Sequence, residues 1–499
     1  MRLSRELLST LPHSVYRPHY DVKLLRSGIV HLGCGNFHRA HQAVATQAAL
    51  NEMGEEGQHW GIASATMRRP GLVAQLAQQD HLYTLLTRER TGTTASVIGS
   101  LHKVFCAADR PDRLIERIAS PTTKIVTLTI TATGYHLSAD GQLDVTDPLI
   151  RNDFNSPTPI SAVAFLTRGL ERVRQRGTTP PVIICCDNLS HNGVTLRAAV
   201  TAFAEAEGQG ALARWIAAHV QFPDTMVDRI VPTPHEGDIA DARRLLGGID
   251  DEIPVSAEPW FQWIIQHFDG PRPLWEAHHG TRFVHDVDMF ERAKLQMLNG
   301  SHMLLAYVGQ LSGLETIAEA ASDPTLGPLA RRFMRFEQTA GLDLPETELD
   351  DYTDELMSRL KNPAIVHEAE RIGRNGSAKM AARVIRPMRE NISAGRDVTG
   401  AVLLIASWIR WFALHEKEAL EISLEDPRAA ALKRICAECR DHHAAQAEAF
   451  LAMEEVFGPS LPDHDKYVAD IAGMLRRITE QNMHDVLRAT LKGESVAVS

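Results

Sequence analysis

Apolar and polar positions along this chain follow two regimes. Up to about residue 285, short β-rich apolar runs at 29–32, 61–65, 83–86, 96–98, 125–129 and 182–185 alternate with stretches of helical periodicity at 43–51, 112–119, 159–176 and 193–207. Continuous apolar runs between turn signals predict strands buried on both faces, and their alternation with helices predicts a mostly parallel sheet. Turn-rich breaks follow at Asp269-Gly270-Pro271-Arg272-Pro273 and His278-His279-Gly280. Beyond them strand signals nearly vanish, and amphipathic patterns such as 401–414 and 466–479 take over. The pattern predicts a doubly wound α/β domain over residues 1–285. A mostly α-helical domain is expected over 286–499.

Two segments carry candidate chemistry. The run Ile29-Val30-His31-Leu32 feeds Gly33-Cys34-Gly35, and helical residues follow. A strand, a G-x-G turn and a helix is the layout that seats a dinucleotide pyrophosphate. The third glycine of the usual pattern is replaced by His38, and a tight turn without a ligand explains the same residues. The second segment is Lys294-Leu295-Gln296-Met297-Leu298-Asn299-Gly300-Ser301-His302. At about 100° per residue, Lys294, Asn299 and His302 share an arc of roughly 140° on a helix. The neighbours Met297, Leu298, Met303 and Leu304 are apolar. A lysine buried there would favour its neutral form and could serve as a base, whereas on the polar side of the helix it would simply be solvated.

Taken together, Gly33-x-Gly35-x-Phe37-His38-Arg39-Ala40-His41-Gln42, Cys186-Asp187-Asn188 with Asn192-Gly193, Met226-Val227-Asp228-Arg229-Ile230, Lys294-x4-Asn299-x2-His302 and Asn375-Gly376-Ser377-Ala378-Lys379 resemble the signatures of the polyol-specific long-chain dehydrogenases, the mannitol dehydrogenase family. The resemblance runs in family order from about residue 15 to 480. It implies a Rossmann-like dinucleotide-binding domain over 1–285, a substrate-binding and catalytic helical domain over 286–499, hydride transfer with a nicotinamide cofactor, Lys294 as the acid/base, and no catalytic metal. It further implies that Asn188 and Asn299 donate to the substrate oxygen, that His302 positions the substrate, and that Asp228, Arg371 and Lys379 bind substrate. Gly33, Gly35 and Phe37 would line the cofactor site. One departure is Ala132, where the family usually carries an acid two residues before Gly134-Tyr135. That departure keeps open a dinucleotide-binding sensor without turnover.

Segments such as 28–35, 141–144 and 147–150 look closer to the fructuronate reductases (mannonate oxidoreductases) than to the mannitol 2-dehydrogenases. A hexuronate needs a carboxylate clamp, for which Arg371, Arg374 and Arg383 are candidates. Cofactor choice is read after the second strand, where Thr66-Met67-Arg68-Arg69 holds no acid. An acid there suits NAD(H), and arginines suit NADP(H). Family habit favours the first and Arg68 and Arg69 the second, so either is expected.

Composition narrows the partners. The 499 residues favour two domains, and 52 Lys+Arg against 63 Asp+Glu give a net charge of -11, which argues against nucleic acid or an anionic membrane. No apolar run is long enough to span a bilayer, and the first residues lack a signal core, so a cytoplasmic protein is expected, as a monomer by family habit. The six cysteines are sparse. Cys436-Ala437-Glu438-Cys439 with His442-His443 offers one C-x-x-C where structural zinc usually takes two, and 427–450 reads as one long helix. No metal is expected.

Overall fold

The computed structural model describes residues 1–138, 141–420 and 423–493. Two compact units divide the chain, Met1–Asp288 and Met289–Ser499. In chain order the described strands are β1 (Ser27–Leu32), β2 (Gly61–Thr66), β3 (Tyr83–Glu89), β4 (Gly92–Ile98), β5 (Leu101–Cys106), β6 (Ile125–Leu128), β7 (Val182–Cys185), β8 (Thr225–Asp228), β9 (Val255–Ala257), β10 (Gln262–Gln266) and β11 (Thr281–Val284).

The central sheet of the first unit is parallel throughout, in the order β5-β2-β1-β6-β7. Every residue of β1, β2, β6 and β7 is buried, which is why these strands read as largely apolar runs without a polar face. Ile29, Ile62, Ile125 and Ile184 enter one core, while Val30, Ala65, Val126 and Ile183 enter another on the opposite face. The predicted doubly wound α/β fold is therefore present. The order reverses at β1, where β2 lies on one side and β6 on the other. Leu32 pairs with both Ala65 and Leu128, so three strand ends finish level at this switch point.

Two expected strands lie elsewhere. β3 and β4 form an antiparallel hairpin, with Glu89 opposite Gly92, and β9 joins them in a separate sheet. A two-residue turn can close only an antiparallel pair, because a parallel one needs a long crossover. β8, β10 and β11 make a third small sheet.

The second unit is helical. Its core surrounds the helix Thr399–Glu416, whose Trp408, Trp411 and Phe412 are buried. The helix expected over 427–450 is two helices, Ala429–Glu438 and His443–Leu451. Asp441 between them is left-handed (φ 65°), which ends helical hydrogen bonding. Three segments widen into π-helical turns: Lys294–Gly300, Phe333–Glu337 and Ala381–Ile385. Among the described residues, no helix is long and apolar enough to cross a membrane.

Candidate active site

The G-x-G turn leaves β1 at the switch point. Gly33 has φ 101°, and a Cβ there would lie 2.0 Å from the Thr129 carbonyl oxygen, so only glycine fits. The Gly33 and Cys34 amides both donate to the Ala65 carbonyl, at 2.9 and 3.1 Å. A Cβ on Gly35 would meet nothing nearer than the Gly33 oxygen at 3.7 Å, so that side of the turn is open to a ligand. The helical stretch begins earlier than the sequence suggested, as Asn36–Ala40, and continues as Gln42–Met53. His38, in place of the third glycine, is fully buried and stacks on His31 with ring centroids 3.4 Å apart. His31 bridges the hydroxyls of Thr127 (2.7 Å) and Thr129 (2.9 Å). Burial lowers His31 to about 3 and keeps His38 well below its ordinary value, so the stack is neutral. Helix and strand are thus packed by two imidazoles where a glycine would otherwise allow close approach. Phe37 stacks on His41 at 4.9 Å. The open glycine turn fits a dinucleotide pyrophosphate.

Beyond β6 and β7, Asp187 is a hub. Its carboxylate accepts from the amides of Ile130 (2.8 Å) and Thr131 (3.0 Å) and from the Tyr135 hydroxyl (2.6 Å). Burial nevertheless raises its pKa above the ordinary value. Thr131 is held at φ 67°, a costly conformation for a β-branched residue. Ala132 follows on an exposed short turn, Ala132–Tyr135. Asn188 is exposed directly after Asp187. The Asn192 side chain donates to the carbonyls of Asp187 (3.1 Å) and Thr225 (2.9 Å), while a Cβ on Gly193 would strike the Phe222 carbonyl at 2.4 Å. The Asn-Gly pair of this motif therefore ties β7 to β8. Asp228 ends β8, and its carboxylate accepts from the Trp260 indole at 2.9 Å.

In the second unit, Lys294 and His302 are buried and Asn299 is half-buried. The α-helical arc expected for them needs correction. Because Lys294–Gly300 is π-helical, hydrogen bonding runs to the fifth residue, and positions five apart come toward one face, as positions four apart do in an α-helix. That spacing is Lys294 to Asn299, so the wider turn aligns two side chains that an α-helix would splay. The α-helix Ser301–Leu311 then carries His302, whose ring meets His367 edge-on at 5.5 Å. His367 is lowered to about 4 by burial and then by the charge of Arg371.

Arg371 is exposed in the helix Ala369–Gly373. Lys379, in Gly376–Met380, donates to the carbonyls of Ile372 (3.3 Å) and Arg374. Burial, and after it the charge of Arg383, lowers Lys379 to about 8. Arg383 is lowered to about 10 by burial, and among the described residues it has no carboxylate within ion-pairing distance. Arg374 is differently placed, paired with Glu370 (3.2 Å) and Glu425 (3.0 Å), so its charge is already matched. Asp187 lies inside the Cys186-Asp187-Asn188 motif but was assigned no role there, and His367 carries no spacing signal of its own.

The family model for the mannitol dehydrogenase Rossmann domain matches residues 27–277, and that for the mannitol dehydrogenase C-terminal domain matches 286–479. The chain belongs to the mannitol dehydrogenase family. An uncharacterized oxidoreductase of Escherichia coli K12, YeiQ, is 37% identical, the alignment covering 97% of this chain and 98% of that protein. The D-mannonate oxidoreductase of the same organism is 35% identical, covering 96% and 99%. The solved mannitol 2-dehydrogenase of Pseudomonas fluorescens, a ternary complex with NAD and D-mannitol, is 34% identical with a TM-score of 0.82, covering 99% of this chain and 100% of that one. Like the rest of the mannitol dehydrogenase family, this protein is an oxidoreductase acting on CH–OH groups of polyols or sugar acids, with NAD(H) or NADP(H) as cofactor.

Proposed function

We propose that the protein interconverts a keto sugar acid and its polyol acid, D-fructuronate and D-mannonate, with Lys294 as the acid/base. The observation that carries the substrate choice is the cationic pair Lys379 and Arg383. Both are partly buried, burial disfavours the charge of both, and Arg383 has no carboxylate partner among the described residues. Two cations held one helical turn apart suit an anionic ligand, because a carboxylate would offset the repulsion and the lost hydration of both. The likeness to the D-mannonate oxidoreductase supports the same reading.

The nicotinamide ring, when bound, gives or takes the hydride. In reduction, Lys294 delivers a proton to the carbonyl oxygen as negative charge grows there, and in oxidation it removes the hydroxyl proton. Asn299, aligned with Lys294 by the π turn, donates a hydrogen bond to the same oxygen, and Asn188 is assigned the same role. His302 orients the chain of hydroxyls, Asp228 accepts from a hydroxyl, and Arg371 serves as a further cation for the substrate. In this reading the first unit binds the dinucleotide and the helical unit supplies the base and the anion site.

Steady-state kinetics with fructuronate and fructose tests the proposal. The carboxylate contact, at about 1.5–3 kcal/mol, predicts a kcat/KM roughly ten- to a hundredfold higher for fructuronate. If fructose is turned over as well or better, the uronate reading is wrong and the mannitol 2-dehydrogenase reading replaces it.

A further inference from the structure

The end of β2 lies against the glycine turn. The Gly33 and Cys34 amides both bond to the Ala65 carbonyl, so the segment Thr66-Met67-Arg68-Arg69 leaves the sheet beside Gly35. A nicotinamide enzyme selective for the unphosphorylated cofactor places a carboxylate here, to accept from the adenosine ribose hydroxyls. No aspartate or glutamate occurs from residue 61 through 79. The residue ending β2 is Thr66, buried, and its hydroxyl is already committed to the Arg69 carbonyl at 3.1 Å. That bond, with Pro70 opening the next helix, fixes the loop so that Arg68 and Arg69 are both exposed.

Neither arginine is neutralised. Among the described residues, no carboxylate forms an ion pair with Arg68 or Arg69. A third cation, Arg39, stands one helical turn past Gly35, bonded to the Asn36 side chain (2.7 Å) and the Ile253 carbonyl (2.6 Å). Burial lowers its pKa, and the charge of Arg69 is close enough to lower it further. Two exposed arginines with no ion-pair partner among the described residues therefore stand at the place where an added phosphate distinguishes the two cofactors.

We propose that Arg68 and Arg69 bind the 2′-phosphate of NADP(H), and that the protein prefers the phosphorylated dinucleotide. A ribose lacking that phosphate would find no carboxylate acceptor at the end of β2. A phosphate there would gain charge-assisted, fork-shaped contacts from two guanidinium groups.

Binding of adenosine 2′,5′-bisphosphate and of 5′-AMP to the full-length protein, followed by calorimetry, separates the 2′-phosphate from all sugar chemistry. Failure of the uronate reading would leave this measurement untouched. The unaltered protein is expected to bind the bisphosphate at least about tenfold more tightly than 5′-AMP. Replacing both arginines (Arg68→Ala with Arg69→Ala) should bring the two affinities together by weakening the bisphosphate alone, with an unchanged melting temperature. NADPH binding should weaken likewise, and NADH binding should stay within about twofold. Equal affinities in the unaltered protein would overturn the proposal. So would a double variant that weakens both ligands alike, or neither.

Discussion

Gly300 approaches Arg383 so closely that a Cβ on the glycine would come within 2.8 Å of the Arg383 carbonyl oxygen, and within 2.6 Å of the Gln338 side chain. Two of the π-helical turns thus meet backbone to backbone, the one bearing Lys294 and Asn299 against the one bearing Arg383. Gly300→Ala is expected to lower stability by about 1–3 kcal/mol through overpacking. It should also lower kcat, since the turn that aligns Lys294 with Asn299 must shift. Thermal unfolding and kcat together check this, and an alanine variant matching the parent in both would show that the contact is slack.

Lys294→Ala is expected to remove turnover by on the order of 10²–10⁴-fold while leaving cofactor affinity intact. Nucleotide binding by fluorescence, beside steady-state rates, separates the two effects. A variant that retains near-parental kcat would exclude this lysine from proton transfer.

The pH dependence of substrate binding follows from Lys379. Burial and the nearby Arg383 hold it at about 8, below its ordinary 10.5. It is charged below that value and neutral above it. KM for a sugar acid should therefore be flat on the acid side of about 8 and rise on the alkaline side, whereas KM for fructose should not follow. Lys379→Gln should flatten the profile. A fructuronate KM independent of pH across this range in the parent would remove Lys379 from carboxylate binding.

Stability has its own titrating group. Glu337 is buried, and it accepts from the Gly400 (2.7 Å) and Ala401 (2.9 Å) amides at the start of the helix Thr399–Glu416. Burial outweighs those bonds and raises its pKa to about 8 from 4.5. The folded state therefore holds this proton more tightly than the unfolded chain. Its contribution is full below about 4.5 and is lost as pH rises toward about 8. Glu337→Gln should make the melting temperature fall less steeply over that interval. Parallel curves for parent and variant would mean that another group controls the slope.

The central sheet was readable because β1, β2, β6 and β7 are buried on both faces, which leaves a largely apolar signature. β8, β9, β10 and β11 were not, because polar residues such as Asp228, Ser256, Gln262, Gln266 and Arg282 cut their short apolar runs. The break at Asp441 was hidden because neither glycine nor proline marks it. At the candidate site, the residue types and spacing of Lys294, Asn299 and His302 were legible, but their mutual geometry was not. A π turn leaves no periodic trace, since the local composition suits an α-helix equally well. Arg374 and Arg383 look alike as letters, and only their partners among the described residues, two glutamates for one and no carboxylate for the other, tell them apart.

The stretch 294–300 contains more chain than an α-helix of equal rise would need. Removing a single residue from it, Leu295 for example, would let the helix run straight into Ser301–Leu311 with regular hydrogen bonding. In such a shortened protein the lysine and asparagine would stand four apart, a spacing that shares one face of an α-helix, so the wider turn is how this helix accommodates one more residue and still keeps the pair together. Insertions and deletions are usually absorbed in surface loops, whereas here an additional residue is absorbed within a largely buried helix.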